Sequence, residues 1–146
     1  MNQKSFQFKL TRQVEFAETD LAGIMHYSNF FRFMEAAEHA FFRSLGFSIH
    51  EEDQCKNIGW PRVHATCNFR HPLRFEDLVE IHLKVKEKKE KTLAYSFKFY
   101  LVNEDLKNEV AEGELIVACV SRNKSSGSMT SIPIPERIFR KINVAP

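Results

Sequence analysis

A carboxylate and a glycine precede an aromatic-rich segment in EFAETDLAGIMHYSNFF, residues 15–31. A carboxylate such as Asp20 can attack a carbonyl carbon or activate a water molecule. If a helix begins after Gly23, its unpaired N–H groups and partial positive charge can stabilise the oxyanion formed in that attack. Gly23 permits a tight turn between the two groups. The residues alone leave a second interpretation open, in which Asp20 is a loop carboxylate that makes an Asx turn.

Three further residues near Asp20 are candidates for the same chemistry. Glu18 is a second acid or base two positions earlier, or a supporting loop residue. His26 can polarise a carbonyl or move a proton, because imidazole titrates near neutrality. Its alternative is a structural or solvent-facing role. Glu35, about two turns into the predicted helix, either orients a group of the site or belongs to the polar helix face.

Hydrophobic periodicity predicts the elements that carry these residues. Apolar residues at even positions between 6 and 16 indicate a strand with one buried face, interrupted only by Arg12. From Ser28 the apolar residues recur at three- and four-residue steps, which predicts an amphipathic helix of about five turns. Ser28 or Asn29 is expected to cap the start of this helix and Gly46 to follow its end. The residues assigned to the polar helix face are Arg32, Glu35, Glu38 and Arg43.

The rest of the chain is predicted to be mostly strands. Residues 62–70 form one strand, and the alternation at 79–85 and 93–101 predicts a long hairpin with the charged tip KEKKEK. A last strand at 110–121 contains LIVACV, a run typical of a central strand buried on both faces. Residues 47–61 and SRNKSSGSMTS are expected to be connections, and PERIFRKI a short helix. The prediction is a single α+β domain, 1–146, whose helix covers one sheet face and whose other face is covered by a second copy.

Composition narrows the classes of function. The 21 Lys+Arg nearly balance the 19 Asp+Glu, so the net charge of +2 gives no general argument for nucleic acid or an anionic membrane. No apolar N-terminal region or window of about 18 apolar residues is present, which predicts a cytoplasmic protein without a membrane span. Three cysteines without C-x-x-C spacing and histidines without ligand spacing predict reduced thiols and neither metal nor cofactor. The 14 Phe suit a core, an interface or a pocket for an apolar ligand.

Two segments resemble the 4-hydroxybenzoyl-CoA thioesterase-like branch of the hotdog fold. ETDLAGIMHYSNFFRFMEAA is similar to its pattern of an acidic residue, a small residue, Gly and an aromatic-rich helix entry, which ends here at the acidic Glu35. CNFRHPLRFEDLVEI resembles its strand, Pro-containing bend and acidic residue, here Asp77. With the order of elements, the resemblance covers roughly residues 6–140. It implies a curved antiparallel sheet wrapped around one long helix.

The resemblance also implies an activity. It is that of an acyl-CoA thioesterase, which hydrolyses an aromatic or aliphatic acyl-CoA to the free acid and CoA. Asp20 would be its nucleophile or general base, and the backbone amide of Tyr27 its oxyanion donor. An active site between two subunits implies a homodimer, often packed into a homotetramer. The chain departs from many relatives at Leu21, where they have a small residue, and from some at Tyr27, where they have His; the role of His26 therefore stays open.

A CoA thioester brings phosphates, which basic side chains can attract. The candidates for substrate contact are Glu35, Arg70, Lys89 and Arg122. For the basic residues the alternative is a solvated charged surface. Two other functions also remain open: a thioesterase or dehydratase for acyl groups on a carrier protein, and a noncatalytic module that binds an acyl or aromatic ligand among the Phe residues.

Overall fold

A computed structural model describes residues 5–52, 56–103 and 106–146; of the three cysteines, Cys55 lies outside these ranges. Within them, no helix combines the length and apolar character needed to cross a membrane. The helices are α1 (Ser28–Ser44) and α2 (Glu136–Phe139), with a 3₁₀ turn at Phe16–Glu18. The strands are β1 (Gln7–Gln13), β2 (Glu51–Glu52), β3 (Lys56–Gly59), β4 (Arg62–Phe69), β5 (Leu78–Lys88), β6 (Thr92–Asn103), β7 (Leu106–Ala118), β8 (Val120–Asn123) and β9 (Met129–Ser131).

The long helix α1 is present as predicted, and its apolar face is buried against the sheet. It ends before Gly46, which adopts the left-handed conformation expected after a helix (φ 90°). The predicted N-caps, Ser28 and Asn29, are wrong. Tyr27 occupies the N-cap position, and its side chain makes no capping hydrogen bond. Asn29 instead turns inward, where its side-chain amide donates to the Glu18 carbonyl at 2.9 Å.

The main sheet is antiparallel, with strand order β1-β5-β6-β7-β4. Strands β5 and β6 form the predicted long hairpin. The first strand, β1, ends at Gln13, so Phe16 leaves the predicted buried face and is 76% exposed. Strand β7 is central, but the prediction that both its faces are buried is wrong. Leu115 and Val117 face the core, whereas Ile116 and Ala118 stay partly exposed because α1 covers one face alone.

The two segments predicted as connections contain short strands. They form a second sheet with the order β2-β3-β8-β9. Strand β3 continues through Trp60 and Pro61 into β4, and β7 continues through Cys119 into β8. The pairs β3–β8 and β4–β7 are therefore successive parts of one bent ribbon, which gives the sheet its curvature around α1.

The outer face of the main sheet is polar. Lys86 and Glu114 form an ion pair there at 2.6 Å, and Lys98 and Glu112 are also on this side. Water can solvate such a face, so the sheet does not require cover on this side, and its cover by a second copy stays a prediction.

Gly113 of β7 lies tightly between the Met34 side chain of α1 and the backbone of β4. A Cβ at this buried position would lie 2.5 Å from the Thr66 carbonyl oxygen and would also overlap the Met34 methyl group. We expect Gly113→Ala to lower the free energy of unfolding by about 1–3 kcal/mol in urea denaturation, because the backbone of β4 must move. Gly59→Ala is the control, since a Cβ there meets Val120 at 3.4 Å, an ordinary contact. Equal losses in both variants would contradict the explanation.

Candidate active site

A small hairpin brings Asp20 beside the start of α1. The Asp20 N–H donates to the Ile24 carbonyl at 2.9 Å, and the His26 N–H donates to the Glu18 carbonyl at 2.9 Å. The turn is closed by the Gly23 N–H, which donates to the Asp20 carbonyl at 2.9 Å. Gly23 has a φ of 79°, a conformation that residues with a Cβ rarely adopt. The turn therefore requires a positive φ three residues after Asp20, which is why a glycine suits this position.

The Asp20 side chain makes the Asx turn and keeps one carboxylate oxygen available for chemistry. Its Oδ1 accepts a hydrogen bond from the Ala22 N–H at 2.9 Å, so the Asx turn is present. Among the described residues, Oδ2 has no hydrogen-bond partner. The turn therefore holds the carboxylate through one oxygen and leaves the second one available. Asp20 is half-buried and lines a cleft of about 390 Å³.

Tyr27 lines the same cleft, and its backbone amide is unpaired within the described part of the chain. The next three amides all have acceptors. The Ser28 N–H donates to His26 Nδ1 at 3.3 Å, the Asn29 N–H to the His26 carbonyl at 3.0 Å, and the Phe30 N–H to the Tyr27 carbonyl at 3.2 Å. One free donor thus remains at the positive end of the helix.

Aromatic rings form much of the cleft wall. Phe30 and Phe69 meet edge to face with centroids 5.0 Å apart, and Tyr27 contacts Phe69 at 6.5 Å. The other lining residues are Ile24, Met25, Arg70, His71 and Pro72. The cleft can therefore hold an apolar group next to a carboxylate and a free N–H. The sequence predicts Phe69 at the end of a strand, but its place in the site was missed.

The other predicted site residues have different positions. His26 is exposed and is not among the residues that line the cleft; its ring lies against Tyr27 with centroids 4.6 Å apart. Arg70 lines the cleft, but its guanidinium pairs with Glu109 at 3.0 Å and Glu112 at 2.8 Å. The hydrogen bond and charge of Glu112 raise the pKa of Arg70. A phosphate would have to compete with these two carboxylates.

The remaining candidates for substrate contact lie elsewhere in this chain. Glu35 and Arg122 line a second cleft, of about 480 Å³, between α1 and the small sheet. Lys89, at the tip of the β5–β6 hairpin, pairs with Glu87 at 3.1 Å. One chain therefore brings Asp20, Tyr27 and Arg70 together and leaves Glu35, Lys89 and Arg122 apart from them.

A buried ion pair beside the second cleft was missed. Glu38, predicted on the polar helix face, is fully buried, and Arg62 Nη2 donates to its Oε1 at 2.7 Å. Arg62 also donates to Glu35 at 3.3 Å and to the Trp60 carbonyl at 2.9 Å. Burial raises the pKa of Glu38, while the charge and hydrogen bond of Arg62 oppose this rise. One signal in the sequence could have indicated this burial. Position 38 directly follows Ala37 and lies three residues before Phe41, so it borders the apolar stripe of the helix.

Part of this buried cluster lacks ordinary hydrogen bonds. Glu38 Oε2 and the Tyr95 hydroxyl have no partner of standard geometry among the described residues. They are still close enough that each influences the other: burial first, and then Glu38, raise the pKa of Tyr95 well above its ordinary value. The cluster depends on Arg62 for its charge balance.

The fold and the site together define a class. A curved antiparallel sheet around one long helix, with a carboxylate and a free helix-start amide in one cleft, is the hotdog architecture with groups suited to acyl transfer. Residues 14–142 match the model of the thioesterase-like superfamily, and the chain belongs to that superfamily.

Individual relatives agree with this membership. A protein of Aquifex aeolicus (strain VF5), provisionally named an esterase, is 34% identical over 128 residues, which are 86% of this chain and 91% of that protein. A solved gentisyl-coenzyme A thioesterase is 29% identical with a TM-score of 0.74, covering 93% of this chain and 100% of the other. The 4-hydroxybenzoyl-CoA thioesterase of Pseudomonas sp. strain CBS-3 is 18% identical with a TM-score of 0.78, covering 93% and 99%, and shows the fold alone. The predicted hotdog fold, family and class of thioester hydrolase are confirmed.

Proposed function

We propose that this protein is an acyl-CoA thioesterase that hydrolyses an acyl-CoA to the free acid and CoA. The observation that carries the proposal is the shared cleft, in which Asp20 keeps one free carboxylate oxygen and Tyr27 an unpaired backbone N–H. A thioester carbonyl between these groups would meet an attacking oxygen or an activated water on one side and an oxyanion donor on the other.

The reaction needs no further group to balance. In one form, Asp20 attacks the carbonyl carbon, the C–S bond breaks, and CoA leaves as the thiol after gaining a proton; water then hydrolyses the resulting anhydride. In the other form, Asp20 accepts a proton from water as the water attacks, the C–S bond breaks, and the CoA sulfur takes up that proton and leaves as the thiol. In both forms the Tyr27 amide stabilises the oxyanion, and one such donor is worth about 3–4 kcal/mol of the barrier.

The acyl group is proposed to be apolar. Phe30, Phe69 and Tyr27 supply ring faces and edges at the cleft, which suit a benzoyl or naphthoyl ring as well as a fatty chain. The gentisyl-coenzyme A thioesterase among the relatives makes aromatic acyl groups the first to test.

The functional unit is proposed to be a homodimer joined along β4. This strand is an edge of the main sheet, and its residues Val63 and Phe69 are 61% and 48% exposed. Unpaired edges favour pairing with another strand. Two-fold antiparallel pairing sets the beginning of one β4 beside the end of the other. The cleft with Glu35 and Arg122 of one copy then adjoins the cleft with Asp20 of its partner, which would reunite the predicted substrate residues.

We expect Val63→Glu to convert a dimer into a monomer of half the mass in analytical ultracentrifugation, with loss of activity, because it would bury an unpaired carboxylate against the end of the partner's β4. Val144→Glu is the matched control, since Val144 is also exposed (42%) but lies in the C-terminal segment. Dimers in both variants, or a monomeric wild type, would count against pairing through β4.

The activity is tested with a panel of benzoyl-, naphthoyl- and fatty acyl-CoAs and a free-thiol assay. Thiol release from at least one member supports the proposal. Saturable binding without thiol release would identify a noncatalytic acyl-binding module instead. Dehydration of a carrier-bound acyl group would need His26 paired with an acid, but its Nδ1 bonds Ser28. The same acyl groups attached to acyl carrier protein distinguish a carrier-specific thioesterase from one that acts on acyl-CoA.

A further inference from the structure

The start of α1 is capped by a residue that precedes the helix. Tyr27, at the N-cap position, is already helical (φ −56°, ψ −30°), and its side chain makes no capping hydrogen bond. His26 supplies the acceptor instead: its Nδ1 lies 3.3 Å from the Ser28 nitrogen and 2.8 Å from Ser28 Oγ. A backbone N–H can only donate, so Nδ1 carries the lone pair and the proton of the neutral ring is on Nε2.

These contacts fix one particular peptide unit. The Tyr27 N–H belongs to the peptide that joins His26 to Tyr27, and the carbonyl of that same peptide accepts the Asn29 N–H at 3.0 Å. On the preceding side, the His26 N–H donates to the Glu18 carbonyl at 2.9 Å. The imidazole adds the bond to Ser28 and lies on the Tyr27 ring. The direction of the free N–H is therefore held from both sides.

We propose that His26 is a positioning residue: through Nδ1 it holds the first turn of α1 so that the Tyr27 N–H stays directed at the substrate carbonyl. The inference rests on the proposed thioesterase function. It assigns His26 no contact with substrate, in agreement with its exposed position outside the cleft lining. A displaced oxyanion donor should slow the chemical step and leave substrate binding nearly unchanged.

Two substitutions separate this role from a direct one. Asn has an acceptor oxygen at the place of Nδ1, and Gln has a donor nitrogen at the place of Nε2. We expect His26→Asn to keep kcat within about threefold of wild type, because the capping acceptor remains. His26→Gln and His26→Ala should lower kcat by about tenfold or more, with KM within about twofold. Higher activity for Gln than for Asn would show a direct role of Nε2, and unchanged kcat in all three would also overturn the proposal.

The outcome does not depend on the success of the thioesterase assignment. Asp20→Asn, measured beside the His26 variants, shows whether the assay follows the proposed site. If wild type releases no thiol from any acyl-CoA, the proposed function fails, and the cap is judged by ¹⁵N NMR of the imidazole. Spectra recorded at rising pH, until the ring signals stop changing, should show the Nε2–H tautomer. An Nδ1–H tautomer would overturn the positioning role on its own.

Discussion

Asp20→Asn is expected to lower kcat for a good acyl-CoA substrate by about 10³-fold, because it removes the attacking or proton-accepting oxygen of the site. The substitution is well matched to the structure. The Asn side-chain oxygen can still accept the hydrogen bond from the Ala22 N–H, which is 2.9 Å long in the wild type, so the Asx turn is kept. The turn at Gly23 and the direction of the side chain should therefore survive. Thiol release measures the loss, and thermal unfolding checks that the fold is retained.

Glu18→Gln is the control for loss of a neighbouring negative charge. The Glu18 carboxylate accepts the Glu15 N–H at 2.8 Å, and the Gln oxygen can do the same. We expect its kcat to stay within about threefold of wild type, since Glu18 makes no contact that the chemistry requires. A loss as large as that of Asp20→Asn would move the catalytic carboxylate to Glu18, and full activity of Asp20→Asn would end the assignment of Asp20.

The parts of the site that could be predicted are local in sequence. Asp20, Gly23 and Tyr27 lie within eight residues, so one turn and one helix start decide their geometry. Strand and helix periods are local as well, which is why α1 and the β5–β6 hairpin were predicted correctly. The helix cap was missed because a His side chain at the preceding position competes with the usual Ser and Asn caps, and propensity favours the latter.

The parts that could not be predicted depend on contacts between distant residues. Glu38 has the sequence environment of a solvent-facing helix residue, and only its pairing with Arg62, 24 positions later, makes its burial tolerable. The short strands of the second sheet carry no alternation of their own; they follow from the bend of longer strands at Trp60 and Cys119. In the proposed dimer, Glu35 and Arg122 of one copy approach the Asp20 cleft of the other, and a contact between two chains leaves no local pattern in the sequence.

Arg62→Met is expected to have the largest effect on stability. It leaves the Glu38 carboxylate fully buried without its cation, and removing one partner of a buried ion pair typically costs about 3–5 kcal/mol. Urea unfolding followed by the fluorescence of Trp60, the single tryptophan, measures the change. Arg70→Met is the matched control, because Arg70 pairs with Glu109 and Glu112 on the exposed outer face, where water screens the charges, and its loss should cost little stability.

The stability lost in Arg62→Met should also depend on pH, and the direction of the pKa shift of Glu38 determines how. Burial raises this pKa in the folded protein above its ordinary value of 4.5, so the folded state binds the proton more strongly than the unfolded one. The stability contribution of Glu38 is then complete below about pH 4.5 and declines as pH rises through the folded-state pKa. Without Arg62, which opposes the rise, that pKa moves higher, and the deficit of Arg62→Met should grow as the pH rises above about 4.5. Glu38→Gln combined with Arg62→Met removes the stranded charge and should recover much of the loss at the higher pH. A deficit independent of pH, or no recovery in the double variant, would mean that Arg62 stabilises the protein by packing rather than by balancing Glu38.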